Sequence, residues 1–168
     1  AFRGMETILT NRHPWDAVVI TQRICGVCPV SHALAATMTV ENATGVTAPN
    51  NGRLLRNLVL GANYVQSHIL HFYHLAVLDY MVGPDMAPWQ PCWRSDLRLD
   101  SETTNTLIGH YVTALQMRRK AHEMGAVFGG RLPHPSAYVP GGFTCTSTAA
   151  RRATFTAYLN ELIAFVQG

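Results

Sequence analysis

The sequence predicts a mainly α-helical chain: a bundle of long helices joined by irregular Gly/Pro-rich loops, forming part of a larger fold. After residue 51 the apolar residues keep a helical period for about eight turns. A second helical period covers residues 101–124. Helix-breaking residues are concentrated at 83–100 and 129–142, so these two stretches are expected to be elaborate loops between three or four helices.

The first part of the chain leads into a turn that contains two cysteines. Residues 18–20, Val-Val-Ile, are either a short strand or the end of a helix. Pro29 suits the first position of a helix, which we expect over residues 31–42 with Gly45 as its end. Cys28 therefore lies at or just before a helix N-terminus, where the dipole and free N–H groups stabilise a thiolate.

The longest predicted helix covers residues 51–82, is expected to be mostly buried, and ends near Gly83 and Pro84. Trp89 and Trp93 lie in the loop that follows it. A last helix is expected to begin near Ser147, which suits an N-cap, and to continue to the end of the chain.

Charged residues make up 14% of the chain, against about 25% in an average soluble protein. Such a chain has little solvated surface, so we expect much of it to be covered by further polypeptide or by a partner. The sequence begins at Ala1-Phe2 and stops inside an apolar helical pattern. We therefore expect a piece of a longer protein.

Several classes of function are disfavoured by composition. The net charge of +3 is small and scattered, so no nucleic-acid partner is expected. No apolar run has the length that spans a bilayer, and the first residues do not have the pattern of a signal peptide. The four cysteines are too few and too unevenly spaced for a disulfide scaffold.

The segment Arg23-Ile-Cys25-Gly-Val-Cys28-Pro-Val-Ser-His32 carries the strongest chemical signal. Two cysteines at this spacing can direct both sulfurs to one soft metal ion. A structural zinc site, a redox dithiol and an incidental pair of core cysteines are the alternatives. A zinc site lacks a second close ligand pair, and a redox dithiol lacks a βαβ setting, so a soft metal with further ligands outside this chain fits best. His32 lies about one turn beyond Cys28 and can tune its sulfur.

The remaining candidate ligands carry weaker signals. His68, His71 and His74 recur every three residues but are interleaved with large apolar residues, so hydrogen bonds between packed helices are the favoured interpretation. His134, in the second Gly/Pro loop, is assigned to packing or to a proton path. Glu6, taken alone, is an ordinary carboxylate at a helix start.

Four segments together resemble the large subunit of nickel–iron hydrogenases, in the uptake-type, membrane-associated branch that includes relatives of the selenium enzymes. They are Phe2-Arg-Gly-Met-Glu6, the Arg-x-Cys-Gly-x-Cys-x-x-x-His element at 23–32, His71-Phe-Tyr-His-Leu75, and Gly129-Gly-Arg-Leu-Pro-His134. The likeness covers nearly the whole chain. It implies that residues 1–168 are a single segment of the large-subunit domain, a central fragment incomplete at both ends.

The resemblance implies roles for four residues. Cys25 would be a terminal nickel ligand, and Cys28 would bridge nickel to an iron that also holds carbon monoxide and cyanide. His32 would donate a hydrogen bond to the bridging sulfur, and Glu6 would help to bind a magnesium ion. Ser67 stands where many relatives have aspartate.

The resemblance further implies reversible, heterolytic oxidation of dihydrogen to protons and electrons. The electrons would leave through an iron–sulfur small subunit, because this chain lacks a cysteine set for a cluster. The family's second cysteine motif is not in this sequence, so the fragment alone is expected to be inactive. The resemblance also implies a periplasmic enzyme associated with the membrane through partner subunits. Two alternatives remain: a non-enzymatic structural zinc-binding helical module, and a relative of the complex I large subunit, which lacks the nickel cysteines.

Overall fold

The computed structural model describes residues 3–87, 89–91 and 98–168, so the predicted loop positions Cys92 and Trp93 lie outside the described residues. The mainly α-helical prediction is confirmed. In chain order the described elements are α1 (Met5–Leu9), α2 (Asp16–Ile20), a 3₁₀ turn (Thr21–Ile24), α3 (Pro29–Thr44), α4 (Asn50–His71), a π-helical turn (Phe72–Ala76), a 3₁₀ turn (Val77–Asp79), α5 (Ser101–Gly129), β1 (Tyr138–Val139), β2 (Gly142–Phe143) and α6 (Ala149–Gln167).

The chain divides into two compact units. The larger unit comprises Ala1–Tyr64 and Lys120–Gly168, and the smaller comprises Val65–Arg119. The core of the larger unit is built from small and branched side chains of α3 and α4 and from aromatic rings of α5 and α6. Its buried members include Val30, Ala33, Val59, Phe128, Phe155 and Leu162.

Helix α3 follows the sequence prediction closely. Cys28 is the N-cap and Pro29 occupies the first turn, where its missing N–H costs no hydrogen bond. Gly45 ends the helix with φ 71° and ψ 14°, a left-handed conformation that glycine adopts without a steric penalty. Residues 18–20 prove to be the end of α2 rather than a strand.

The long helix differs from the prediction in two respects. It is regular only from Asn50 to His71, and Phe72–Ala76 then form a π-helical turn. It is also not mostly buried within this chain, since Leu54 is 60% exposed and Leu75 is 55% exposed. A periodicity pattern records which side chains are apolar but not whether the surface that covers them belongs to the same chain.

Helix α5 extends beyond the predicted end at residue 124 to Gly129. Gly125 does not break it, because the missing side chain leaves room for Leu132: an added Cβ would lie 1.9 Å from the Leu132 Cδ1 atom. Close packing against the following loop therefore offsets the poor helix propensity of this glycine.

The second Gly/Pro stretch is not wholly irregular as predicted. Its last part forms a short antiparallel hairpin in which Tyr138 pairs with Phe143 and Val139 pairs with Gly142. Gly141, with φ 80°, makes the turn. Helix α6 is capped by Thr148, whose hydroxyl accepts the Arg151 N–H, rather than by the neighbouring Ser147.

Among the residues that the structure describes, no helix combines the length and the apolar character needed to cross a bilayer.

Candidate metal centre

The two cysteines of the predicted site lie on one turn between two helices. Helix α2 continues into the 3₁₀ turn Thr21–Ile24, after which Cys25 becomes extended, with φ −138° and ψ 142°. Cys28 then caps α3. This change of direction within four residues brings both side chains to the same end of α3. Both cysteines are half-buried, free thiols.

The Cys25 sulfur is held by backbone donors. Its Sγ accepts the N–H groups of Val27 and Cys28, each at 3.3 Å. A hydrogen bond with the Cys28 side chain is the main reason that the pKa of Cys25 is lowered. The sulfurs are therefore close neighbours, as a shared metal ion requires.

The pKa of Cys28 moves in the opposite direction, to about 11. Burial is the main cause, and the hydrogen bond and negative charge of Cys25 add to it. The prediction that the helix N-terminus would favour the Cys28 thiolate is therefore wrong for the metal-free chain. The Cys25 sulfur, not the Cys28 sulfur, accepts the backbone N–H groups, so Cys25 is the first of the two thiols to lose its proton.

The N-terminal segment contacts the cysteine turn through Arg3. Its guanidinium donates to the backbone carbonyl of Ile24, the residue before Cys25, and its positive charge contributes to the lowered pKa of Cys25. The sequence pointed to Glu6 in this segment, whereas Arg3 had no assigned role. Glu6 lies in the first turn of α1, and its pKa is lowered, mainly by a hydrogen bond to its own backbone N–H.

His32 lies in the first turn of α3 and is half-buried. Its backbone N–H donates to the Cys28 carbonyl at 3.4 Å, and its own carbonyl accepts the Thr21 hydroxyl at 3.4 Å. A hydrogen bond from its ring to the bridging sulfur stays a prediction.

Of the three histidines at positions 68, 71 and 74, His74 fits the packing interpretation and the other two do not. His68 and His71 are exposed. His74 is half-buried, with its Nε2 3.2 Å from the Tyr111 carbonyl of α5. Burial is the main cause of its lowered pKa.

Behind the cysteine turn lies a contact with the loop after α5. The Gln22 side chain is buried and donates to the carbonyl of Pro135 at 3.1 Å. His134, next to this proline, has φ 65° and a lowered pKa, chiefly because of burial and also because of the charges of Arg23 and Arg131. His134 stands out in the sequence by its place in a Gly/Pro loop, whereas Gln22 has no distinguishing local pattern.

A second contact missed by the sequence analysis joins α3 to α4. The Glu41 carboxylate accepts two hydrogen bonds from Arg56, and the N–H of Gly141 donates to it at 2.8 Å. Arg56 also donates to the carbonyls of Val139 and Gly142. This buried network fixes the hairpin on the two helices.

The donor set suits half of a soft-metal site. Two sulfurs are adjacent, and thiolates match nickel, iron or zinc better than hard ions such as magnesium. Among residues 3–87, 89–91 and 98–168, no cluster of three or more His, Cys, Asp or Glu side chains is placed to hold a metal ion. A metal at this turn would therefore take its remaining ligands from elsewhere.

Comparison with known proteins assigns the chain to a family. The sequence profile of the nickel-dependent hydrogenases matches residues 3–87 and 83–168. The chain is 49% identical to the periplasmic NiFeSe hydrogenase large subunit of Desulfomicrobium baculatum over 98% of its own length and 34% of that protein. It is 32% identical to the uptake hydrogenase large subunit of Bradyrhizobium diazoefficiens, over 86% of its own length and 31% of that protein.

The solved structures agree with this assignment. The Ni-Fe-Se hydrogenase of Desulfovibrio vulgaris Hildenborough, in the as-isolated oxidised state, superposes with a TM-score of 0.94 at 49% identity. The match covers 98% of this chain and 34% of that one. The chain thus spans about a third of the length of the relatives it matches.

Proposed function

This chain belongs to the nickel-dependent hydrogenase family, and we propose that it is the part of a catalytic large subunit that supplies two of the nickel–iron ligands. The whole protein would oxidise dihydrogen reversibly to protons and electrons. The observation that carries this proposal is the cysteine turn, where the Cys25 sulfur accepts the N–H groups of Val27 and Cys28 and so lies beside the second cysteine. Such a pair is preformed for one soft metal centre.

Cys25 would be the terminal nickel ligand, and Cys28 would bridge nickel and an iron that carries carbon monoxide and cyanide. When bound, the centre would supply the site at which dihydrogen is split heterolytically. One of the two thiolates would take up the proton that this splitting releases. His32 would donate to the Cys28 sulfur and hold its orientation.

Glu6 would bind a magnesium ion beside the centre. Its position supports this role, because the contact of Arg3 with Ile24 ties the same N-terminal segment to the cysteine turn. A carboxylate suits a hard cation that prefers oxygen ligands. The ion would take its other ligands from the rest of the large subunit.

An iron–sulfur small subunit would receive the electrons, and the complex would be periplasmic and associated with the membrane through its partners. The name of the Desulfomicrobium baculatum relative supports the periplasmic location. The exposed apolar side chains of α4, Leu54 among them, support a surface covered by further polypeptide. The family assignment does not favour the zinc-binding module or the complex I relative.

Metal analysis of the purified full-length large subunit, produced with its small subunit, tests the proposal. Nickel and iron at one each per subunit, together with dihydrogen-dependent reduction of a dye, are expected. Stoichiometric zinc without nickel would instead identify a structural zinc site and overturn the proposal.

A further inference from the structure

Gln22 is a buried polar side chain close in sequence to the cysteine turn. It lies three residues before Cys25 and is 3% exposed. Its Nε2 donates to two carbonyls, that of Val18 at 2.8 Å and that of Pro135 at 3.1 Å. Both amide hydrogens are therefore used in a setting where an unmade bond is costly.

The two hydrogen bonds have different roles. The bond to the Val18 carbonyl lies within one helical turn and orients the Gln22 side chain. The bond to Pro135 joins positions 113 residues apart and ties the 3₁₀ turn Thr21–Ile24 to the loop after α5. A long-range bond of this kind contributes nothing to the local shape of the chain but fixes where that turn lies in the unit.

The loop that receives the bond is itself well defined. The Ser136 N–H donates to the Gly129 carbonyl at 3.1 Å, and the Arg131 Nε donates to the His134 carbonyl at 2.8 Å. Pro135 is fully buried. Gln22 is therefore attached to a fixed point rather than to a mobile one.

A side chain with two N–H groups on one nitrogen satisfies both acceptors. Glutamate has the same shape but presents lone pairs to both carbonyls, and methionine has the same length without a donor. The residue type therefore matters here beyond its size.

We propose that Gln22 is a positioning residue for the cysteine turn. It holds Thr21–Ile24 so that the Cys25 sulfur accepts the N–H of Cys28 before any metal binds. This inference rests on the proposed function in so far as the metal is nickel, but the positioning of the two sulfurs can be measured without nickel.

The experiment compares Gln22→Met and Gln22→Glu with Tyr138→Phe in the full-length large subunit. Tyr138 is a matched control, because its buried hydroxyl donates one long-range bond, to the Arg56 carbonyl at 2.9 Å, on the hairpin rather than on the cysteine turn. Apparent Tm is measured for all three, so that the loss of stability is known separately.

The first readout uses metal-free protein and a trivalent aryl arsenical, which binds tightly only where two thiols are adjacent. We expect binding about ten-fold weaker in both Gln22 variants and unchanged in Tyr138→Phe. The second readout is the electron paramagnetic resonance spectrum of the nickel-loaded enzyme, which we expect to change only in the Gln22 variants, with activity per bound nickel about ten- to a hundred-fold lower.

Wild-type arsenical affinity and nickel spectrum in Gln22→Met would overturn the inference, whatever its Tm. So would equal losses in Gln22→Met and Tyr138→Phe, since these would mark a general loss of stability. A wild-type protein that binds the arsenical but takes up no nickel would defeat the proposed function, and weaker arsenical binding in the Gln22 variants would still support the positioning role.

Discussion

Glu41 and Arg56 form a buried, two-armed ion pair in which Nη2 lies 2.6 Å from Oε1 and Nη1 lies 3.1 Å from Oε2. Their side chains are 10% and 4% exposed. Arg56 also donates hydrogen bonds to backbone carbonyls of the hairpin, and the Gly141 N–H donates a further hydrogen bond to the Glu41 carboxylate. The charges are therefore fully paired, which is the condition under which a buried ion pair is tolerated.

Removing one partner of this pair should be strongly destabilising. Arg56→Met leaves the Glu41 carboxylate buried without its counter-ion and should cost about 3–5 kcal/mol. The double variant with Glu41→Leu should lose less than the sum of the two single losses. Thermal unfolding of the four proteins of this cycle measures the coupling, and strict additivity would contradict it.

Acid should weaken the same contact. The Arg56 hydrogen bonds lower the pKa of Glu41 below its ordinary value of 4.5. A depressed carboxyl pKa gives stability that is complete above the unfolded-state pKa and is lost as the pH falls through the folded-state pKa. Wild-type Tm should therefore drop below pH 4.5 more steeply than that of Glu41→Gln, and parallel curves would count against this explanation.

Cysteine substitutions should separate the metal site from the rest of the chain. Cys25→Ser and Cys28→Ser exchange a soft sulfur for a harder oxygen and should abolish nickel binding and hydrogenase activity in the full-length enzyme. Cys145→Ser is the matched control, because that half-buried free thiol lies outside the pair. Near-normal dihydrogen uptake in either of the first two variants would refute the ligand assignment.

Glu6→Gln should act on magnesium rather than on nickel. The amide keeps the size of the side chain but removes the charge that a hard cation prefers. We expect magnesium content and activity to fall further than nickel content, as measured by elemental analysis of the purified enzyme. Equal and complete loss of nickel would show instead that Glu6 is needed for folding or metal insertion.

The hairpin turn offers a paired test of backbone strain. Gly141 has φ 80°, and an added Cβ would lie 2.9 Å from the Val46 side chain, whereas a Cβ on Gly142 meets open space. Gly141→Ala should cost about 1–2 kcal/mol, and Gly142→Ala much less. A similar Tm for the two variants would contradict this difference.

Local chemistry made the start and end of α3 predictable. Pro29 and Gly45 act through their own backbone conformations, so they mark the helix wherever it lies. The sequence predicts the N-cap of α6 one residue early, because Ser147 and Thr148 both have a suitable hydroxyl and only the backbone geometry decides between them. The CxxC spacing likewise predicted that the two cysteine side chains lie together, and the Cys28 N–H donates to the Cys25 sulfur.

Contacts between distant segments left no such signal. Glu41 and Arg56 look like ordinary charged helix residues in the sequence, and Gln22 looks like an ordinary polar one. Their roles depend on a hairpin and a loop more than 80 residues further along the chain. The direction of the Cys28 pKa shift could not be predicted from the sequence either, because it depends mainly on how far the folded chain buries that thiol and on its contact with Cys25.

The π-helical turn at Phe72–Ala76 has a consequence for comparing relatives of different length. Such a turn contains one more residue than an α-helical turn. The side chains after it therefore point about 100° away, around the helix axis, from the direction that a regular continuation of α4 would give them. A relative lacking one residue there would close the turn into regular helix and keep Val77 on the same buried side. A one-residue deletion here is therefore absorbed locally, whereas the same deletion inside α3 would turn Glu41 away from Arg56.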